Sequence, residues 1–132
     1  MQLIDPFNRP IKYVRLSATD RCDLRCGYCM PKGFQDFEEP EDWLNFDEIE
    51  RVMAAFGRLG VTRIRLTGGE PLVRKDLPQL ASRLAALPGI EDLSLSTNAT
   101  RLAKHAVALK AAGISRINAS LDSLRADRFK SI

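Results

Sequence analysis

Four short segments that alternate polar and apolar residues, each followed by a helical pattern, constrain the fold of this chain most strongly. Alternation at period two is typical of half-buried strands, and Gly or Pro residues end the helical patterns. The predicted strands are Tyr13–Ser17, Thr62–Thr67, Leu93–Thr97 and Ser115–Leu121, and the predicted helices are Phe46–Gly57, Leu77–Leu87, Leu102–Ala112 and one that begins near Leu124. Strands that alternate with helices at this spacing form βαβ units. The sequence therefore predicts an α/β fold of about four βα units with a parallel sheet.

The first helix has a recognisable start. Asp47 is its predicted cap, and Glu50 follows three residues later, as in a capping box. Residues 31–43, just upstream, carry turn-forming residues and carboxylates. This composition predicts a long irregular excursion between the first strand and the first helix.

Each predicted strand is apolar on one face and polar on the other. The polar faces carry Tyr13, Arg15 and Ser17; Arg63, Arg65 and Thr67; Ser94, Ser96 and Asn98; and Arg116, Asn118, Ser120 and Asp122. Strands of a fully packed parallel sheet are apolar on both faces, so helices should cover the apolar face alone. The polar face should then line a wet lumen or ligand cavity, with functional residues at the C-terminal strand ends. The alternative is that these arginines lie near strand ends and simply reach solvent.

All three cysteines, Cys22, Cys26 and Cys29, lie in one loop directly after the first predicted strand. We call residues 22–29 the cysteine loop. An odd number of cysteines argues against a disulfide framework. Thiolates are soft ligands with high affinity for iron–sulfur clusters and for zinc. The sequence therefore predicts a metal centre in a reducing compartment.

Composition excludes several other classes of protein. The 132 residues suffice for one globular domain, and the net charge of +3 is mild. The basic residues are scattered, without a Lys/Arg block, so we expect no binding to nucleic acid. The N-terminus lacks a basic region followed by an apolar run, and no long uncharged stretch could span a bilayer. We expect a soluble cytoplasmic protein that does not bind membranes.

A second notable turn, Gly68-Gly69-Glu70-Pro71, follows the second predicted strand. Two glycines at a strand end let a ligand approach the backbone closely, because no Cβ stands in the way. The carboxylate of Glu70 could hold an ammonium group. A tight turn explains this tetrapeptide equally well when it is taken alone.

The cysteine loop and this turn together resemble the motifs of the radical S-adenosylmethionine (radical SAM) superfamily. The spacing Cys22-xxx-Cys26-x-Tyr28-Cys29 is specific to the superfamily. The flanking segments are similar to those of its GTP 3′,8-cyclase family, which acts in molybdenum cofactor biosynthesis. They are Tyr13–Ser17, Thr19–Cys22, Cys29–Pro31, Arg65–Arg74, Ser96–Asn98 and Arg116–Leu124. The similarity extends from about Asp5 to Ile132.

The resemblance implies a fold and a chemistry. Residues 1–132 would form the N-terminal part of a radical SAM core, a partial (β/α) TIM-like barrel. Cys22, Cys26 and Cys29 would ligate three irons of a [4Fe–4S] cluster and leave the fourth open to S-adenosylmethionine. An electron donor would reduce the cluster, and cleavage of the sulfonium would give a 5′-deoxyadenosyl radical. That radical would take a hydrogen from C3′ of GTP, and the product would be 3′,8-cyclo-7,8-dihydro-GTP.

The resemblance also assigns individual binding residues. Tyr28, Gly69 and Ser120 match positions that contact S-adenosylmethionine, while Arg15, Arg65 and Ser96 match positions that bind GTP. Arginine forks suit phosphate oxygens.

The chain departs from the family at a few positions. Ser96 stands where the family usually has threonine, and serine keeps the hydroxyl for the GTP contact that the resemblance implies. Ala99 stands where glycine is common, and Asp23 and Leu24 replace the more frequent Asn and Phe.

Length is the larger departure, because a complete barrel of this class needs about 250 residues. The family's second cluster, held by C-terminal cysteines, has no counterpart in residues 1–132. We therefore expect this part of a cyclase to be inactive by itself, with an open strand edge that association of several copies could cover.

Two other functions remain open at this point. A different radical SAM enzyme, such as one that modifies peptides, would share both motifs without using Arg15 and Arg65 for a triphosphate. A non-catalytic module could bind structural zinc through the three thiolates and His105. His105 is otherwise expected to face solvent on a helix.

Overall fold

The structure, a computed structural model, describes residues 2–37 and 40–132. In chain order the strands are β1 (Tyr13–Ser17), β2 (Arg63–Thr67), β3 (Asp92–Thr97) and β4 (Arg116–Ala119), and the helices are α1 (Phe46–Arg58), α2 (Leu77–Ala85), α3 (Leu102–Ala111) and α4 (Ala126–Ser131). Short 3₁₀ turns occupy Pro40–Asp42 and Pro71–Val73. Residues 38 and 39 of the predicted excursion lie outside the described residues.

Four described strands form one parallel sheet in the order β1-β2-β3-β4. Each strand pairs with the next one in the chain, and a helix connects each pair. This is the βαβ pattern that the sequence predicts, and the α/β prediction is confirmed.

The core lies on the apolar face of the sheet, beneath α1, α2 and α3. Leucine and isoleucine side chains of β2 and β3 pack there against apolar residues of the three helices. The leucine and isoleucine residues with no more than 2% of their surface exposed are Ile49, Ile64, Leu66, Leu77, Leu80, Leu84, Leu93, Leu95 and Leu109. Burial of each such side chain contributes about 1.5–3 kcal/mol to stability, so this face fixes how the helices lie on the sheet.

The opposite face of the sheet is polar, as its sequence predicts. The register aligns Arg15, Arg65, Ser94 and Arg116 in one row across all four strands. Cα partners in a parallel sheet point to the same face, so these side chains are neighbours. A depression of about 310 Å³ lined by Tyr13, Arg63, Arg65 and Arg116 lies on this face. That this face lines a lumen or ligand cavity stays a prediction.

The structure corrects the predicted cap of α1. Asn45, not Asp47, is the N-cap: its side chain accepts a hydrogen bond from Glu48 N (3.0 Å), and the Glu48 carboxylate accepts one from Asn45 N (2.8 Å). The helix begins at Phe46, so Asp47 already lies in its first turn. Its carboxylate instead pairs with Arg83 of α2.

The last predicted strand is too long at both ends. β4 is Arg116–Ala119, and the residues after it leave the sheet. Backbone hydrogen bonds from Ser115 N to Leu93 O (2.9 Å) and from Ser120 N to Thr97 O (2.8 Å) extend the contact with β3 beyond both ends of β4.

Candidate functional site

The cysteine loop is held at the carboxyl edge of the sheet by the turn that follows β2. Three backbone hydrogen bonds of 2.8 Å join the two segments: Ala18 N to Thr67 O, Gly69 N to Thr19 O and Glu70 N to Arg21 O. The chain after β1 therefore continues alongside the Gly68-Gly69-Glu70 turn and delivers Cys22 to the edge where functional residues of parallel sheets gather.

The two glycines of that turn make room for the chain that leads into the cysteine loop. A Cβ added to Gly68 would lie 2.3 Å from Thr19 O, and one added to Gly69 would lie 2.4 Å from Arg21 O. Gly68 also has a φ of +148°, a conformation that disfavours other residues. The close approach that the sequence predicts is therefore made by the protein's own backbone. That Gly69 also contacts a cofactor stays a prediction.

Glu70 joins the ends of β2 and β3 from a completely buried position, with 0% of its surface exposed. Its Oε1 accepts hydrogen bonds from Leu72 N (3.0 Å) and Thr97 Oγ1 (2.8 Å), and its Oε2 accepts one from Asn98 N (2.7 Å). The expectation that this carboxylate holds a ligand's ammonium group is not met, because both oxygens bind protein donors away from solvent. Glu70 instead fixes the two loops relative to each other.

A second network connects the cysteine loop with the loop between β3 and α3. Asp23 accepts hydrogen bonds from Asn98 Nδ2 (2.8 Å), Thr100 Oγ1 (2.8 Å) and Arg101 Nε (3.0 Å). Partial burial alone would raise the pKa of Asp23, but these three bonds hold that pKa below its ordinary value. Asp23 therefore stays ionised and anchors the start of the cysteine loop.

The sequence shows Asp23 only as a departure from the family, and this hydrogen-bond network was not predicted. The available signal was that Asn98 and Thr100 directly follow the carboxyl end of β3.

The three cysteines are free thiols; Cys22 and Cys26 are half-buried and Cys29 is exposed. The Cys22 sulfur accepts hydrogen bonds from Leu24 N (3.4 Å) and Asn98 Nδ2 (3.8 Å). Within residues 2–37 and 40–132, no three His, Cys, Asp or Glu side chains are grouped closely enough to hold a metal ion. Metal binding can itself order its ligands, so the test of fit is the donor set. Three soft thiols on one anchored loop fit an iron–sulfur cluster.

Tyr28 connects the cysteine loop to the chain after β4. Its hydroxyl donates a hydrogen bond to Asp122 Oδ1 (2.9 Å), although 72% of the residue is exposed. This bond to the carboxylate raises the pKa of Tyr28 to about 12. The backbone makes a parallel link, from Gly27 N to Ile132 O (2.8 Å). Cofactor contact by Tyr28 stays a prediction.

The remaining predicted site residues lie on the polar face or at its carboxyl edge. Arg15 on β1 is exposed, and Arg65 beside it on β2 is half-buried, with its Nε donating to Ser94 Oγ (3.3 Å). Ser96 is half-buried on β3 in register with Asn118, and Ser120 is exposed just beyond β4. The sheet therefore brings both arginines together and places the two serines on its other half.

Arg74 holds the chain just before the cysteine loop, a role the sequence did not reveal. Its guanidinium donates to Ala18 O (2.8 Å) and Leu44 O (2.6 Å) and lies over the rings of Trp43 (5.4 Å) and Phe46 (5.0 Å). Burial lowers the pKa of Arg74 from its ordinary value. The guanidinium therefore makes cation–π contacts with both rings.

His105 lies half-buried on α3, the helix whose Leu109 enters the core. It was expected to face solvent. The zinc alternative requires this imidazole beside the three thiols, and in the described part of the chain His105 belongs to no group of His, Cys, Asp or Glu side chains close enough to hold a metal ion together.

Comparison with known proteins identifies the family. The profile of the Radical SAM superfamily matches residues 16–132. The chain belongs to the radical SAM superfamily. This membership implies a [4Fe–4S] cluster and S-adenosylmethionine as cofactors, and it confirms the resemblance drawn from the cysteine loop and the Gly-Gly-Glu turn.

Within the radical SAM superfamily, the chain is similar to curated relatives named GTP 3′,8-cyclase. The chain is 53% identical over 133 residues to the GTP 3′,8-cyclase of Hydrogenovibrio crunogenus, and 52% identical over 133 residues to that of Listeria monocytogenes. Each alignment covers 100% of this chain and 40% of the relative. The chain thus spans about two fifths of the length of these relatives.

A solved structure supports the fold. The crystal structure of BtrN in complex with AdoMet and 2-DOIA matches with a TM-score of 0.61 and 17% sequence identity, covering 98% of this chain and 56% of BtrN. At this identity the match establishes the shared radical SAM fold alone.

No helix in the described part of the chain is both long and apolar enough to cross a membrane.

Proposed function

We propose that this chain belongs to a GTP 3′,8-cyclase, a radical SAM lyase that converts GTP to 3′,8-cyclo-7,8-dihydro-GTP in molybdenum cofactor biosynthesis. The observation that carries the proposal is the identity of 53% and 52% to two curated cyclases across the whole chain. The paired arginines on the polar face support it, because they offer a triphosphate the bidentate donors it needs.

In this proposal Cys22, Cys26 and Cys29 ligate the [4Fe–4S] cluster. When bound, the cluster and S-adenosylmethionine supply a 5′-deoxyadenosyl radical to the reaction. The chain's contribution is to hold the loop: Asp23 anchors its start to the β3–α3 loop, and Tyr28 anchors its end to Asp122. Free thiols and a cluster persist in a reducing compartment, so we place the enzyme in the cytoplasm, with a one-electron donor as partner.

Tyr28, Gly69 and Ser120 are proposed to surround S-adenosylmethionine. They lie on three different segments at the carboxyl edge of the sheet: the cysteine loop, the turn after β2 and the chain after β4. Backbone hydrogen bonds and the Tyr28–Asp122 bond join these segments, which favours one shared cofactor site.

Arg15, Arg65 and Ser96 are proposed to bind GTP on the polar face. Arg15 and Arg65 are register partners on adjacent strands. Arg65 is further oriented by Ser94, which is 99% buried and lies next to it on β3. Because Ser94 already orients Arg65, this side chain loses little entropy when it binds phosphate oxygens.

The test is the selectivity of an arginine substitution in the intact protein, prepared without oxygen. Arg15→Ala is expected to weaken GTP binding by about tenfold or more, because a hydrogen bond to a charged group contributes about 1.5–3 kcal/mol. S-adenosylmethionine binding is expected to stay within about twofold, since Arg15 lies on the strand and away from the cysteine loop. Isothermal titration calorimetry with each ligand measures both.

Arg51→Ala is the matched control, because Arg51 is an exposed arginine on α1, on the other side of the sheet. It removes the same charge and should leave both affinities unchanged. Equal loss of both ligands in Arg15→Ala would reject the assignment of Arg15 to GTP. If the intact wild-type protein, rather than residues 1–132 alone, forms no cyclised product from GTP with S-adenosylmethionine and a reductant, the proposed function itself is rejected.

A further inference from the structure

The side-chain amide of Asn98 lies between the β3–α3 loop and the cysteine loop in a single orientation. Its Oδ1 accepts a hydrogen bond from Thr100 N (3.0 Å) and lies 2.8 Å from Thr100 Oγ1. A backbone N–H can only donate, so this atom must be the amide oxygen. The Nδ2 group therefore faces the cysteine loop, where it donates to the Asp23 carboxylate (2.8 Å).

The same Nδ2 group reaches the first cysteine. It lies 3.8 Å from Cys22 Sγ, within hydrogen-bonding distance for sulfur, and Leu24 N lies 3.4 Å from that sulfur. An amide carries two N–H donors, so one serves Asp23 and the other serves Cys22. The Cys22 sulfur thus receives one donor from its own loop and one from a different βα unit.

Asn98 is itself held from the buried interior. Its backbone N–H donates to Glu70 Oε2 (2.7 Å), and Thr97 Oγ1 donates to Glu70 Oε1 (2.8 Å). Because Glu70 is completely buried, this link ties Asn98 to the rigid end of the sheet. An outer donor held in this way can fix the position of a metal ligand.

We propose that Asn98 is a positioning residue for Cys22, donating an N–H···S hydrogen bond that raises the reduction potential of the cluster. The inference deepens the proposed function and rests on it for the identity of the cluster. Reduction adds negative charge that spreads onto the sulfurs, so an N–H donor stabilises the reduced form more than the oxidised form. A residue that only held the loop together would not be expected to change the reduction potential in this way.

The test is a redox titration of the cluster in the intact, anaerobically reconstituted protein, followed by electron paramagnetic resonance. The cluster to follow is the one whose spectrum shifts when S-adenosylmethionine is added. Asn98→Leu removes the donor at similar size. Asn98→Ser keeps an oxygen that can accept from Thr100 N but is too short to reach Cys22, and it carries the test if the leucine variant does not fold.

Both variants are expected to retain iron and sulfide but to be harder to reduce. At a fixed potential near the wild-type midpoint, the ratio of reduced to oxidised cluster should fall about threefold to tenfold, the range for one hydrogen bond. For a one-electron couple a tenfold change corresponds to about 59 mV. Variants that titrate together with the wild type would overturn the inference.

Thr100→Val is the matched control. It removes the hydroxyl that contacts Asp23 and Asn98 Oδ1 in the same loop, without changing charge and without removing the amide donor to Cys22. Its reduction ratio should match that of the wild type. An equal fall in Thr100→Val would show that loop disruption lowers the potential, and would also overturn the inference. A wild-type protein whose cluster responds to S-adenosylmethionine but that forms no cyclised product from GTP would count against the proposed function alone, so the two failures are distinguishable.

Discussion

Ala99 shows how a single residue next to the site carries backbone strain. It lies between Asn98 and Thr100, which both contact Asp23, and its φ is +65°. L-residues avoid this left-handed conformation because Cβ crowds the backbone, and glycine adopts it freely. The sequence identified Ala99 as a departure from a common glycine, and the structure gives the physical cost of that departure.

Ala99→Gly is therefore expected to stabilise the folded protein by about 0.5–1 kcal/mol, because relief of the left-handed strain exceeds the added entropy of the unfolded chain. Urea denaturation followed by circular dichroism measures the change. Ala106→Gly is the control: Ala106 is exposed in the middle of α3, and the same substitution in a helix interior should destabilise by about 1 kcal/mol. Destabilisation by both substitutions would contradict the proposed strain at Ala99.

Single residues also show where sequence reasoning stops. The three cysteines were found from their spacing, because a motif is visible along the chain. The Asn98 contact with Cys22 was not found, because the two residues are 76 positions apart and meet only through the sheet register. The role of Glu70 was missed for the same reason: its partners Thr97 and Asn98 lie at the end of the next strand.

At the scale of elements, a polar cluster reinforces the pairing of β3 with β4 at their amino ends. Asp92 at the start of β3 accepts hydrogen bonds from Ser115 Oγ (2.6 Å) and from Arg116 at the start of β4. The bonds from Ser115 and from Arg116 lower the pKa of Asp92 below its ordinary value of 3.8. β4 is exposed along its length, and this cluster adds to its backbone pairing with β3.

The lowered pKa predicts a pH-dependent contribution to stability. A carboxylate whose folded pKa is depressed stabilises the fold fully above its unfolded pKa, and this stabilisation is lost as the pH falls through the folded pKa. Asp92→Asn should therefore be less stable than the wild type at neutral pH, with the difference shrinking below about pH 4. Urea midpoints measured across this range test it. Glu91→Gln, at the exposed neighbouring residue, should leave the pH profile unchanged, and parallel profiles for wild type and Asp92→Asn would refute the prediction.

Element boundaries were predicted less well than element types. β1 was predicted at its observed bounds, because both of its ends are marked by a change of pattern. β4 was predicted too long, because the alternation continues past Ala119 after the chain has left the sheet. The cap of α1 was misplaced by two residues, since both Asn45 and Asp47 suit an N-cap and only the backbone conformation decides between them.

For the whole molecule, the two-faced strands were the most informative property of the sequence. They predicted which side of the sheet the helices cover, and the buried residues of β2 and β3 confirm it. They also placed Arg15 and Arg65 together, since register partners share a face. How the cysteine loop sits on the sheet could not be predicted, because it depends on hydrogen bonds between loop backbones, which side-chain patterns do not encode.

The seating of the cysteine loop on the turn after β2 gives the most direct test of the whole arrangement. In Gly69→Ala, the new Cβ would lie 2.4 Å from Arg21 O and 2.6 Å from Asp20 O, so the backbone leading to Cys22 must move. We expect the iron and sulfide content after anaerobic reconstitution to fall at least about twofold. The circular dichroism of the sheet and helices should persist, because the core lies on the other face of the sheet. Gly27→Ala adds the same methyl group inside the cysteine loop, where its Cβ would lie at an ordinary 3.6 Å from Ile132 O. This variant should bind iron and sulfide at the wild-type level. Full cluster content in Gly69→Ala would mean that the glycine contact does not set the position of the cysteines.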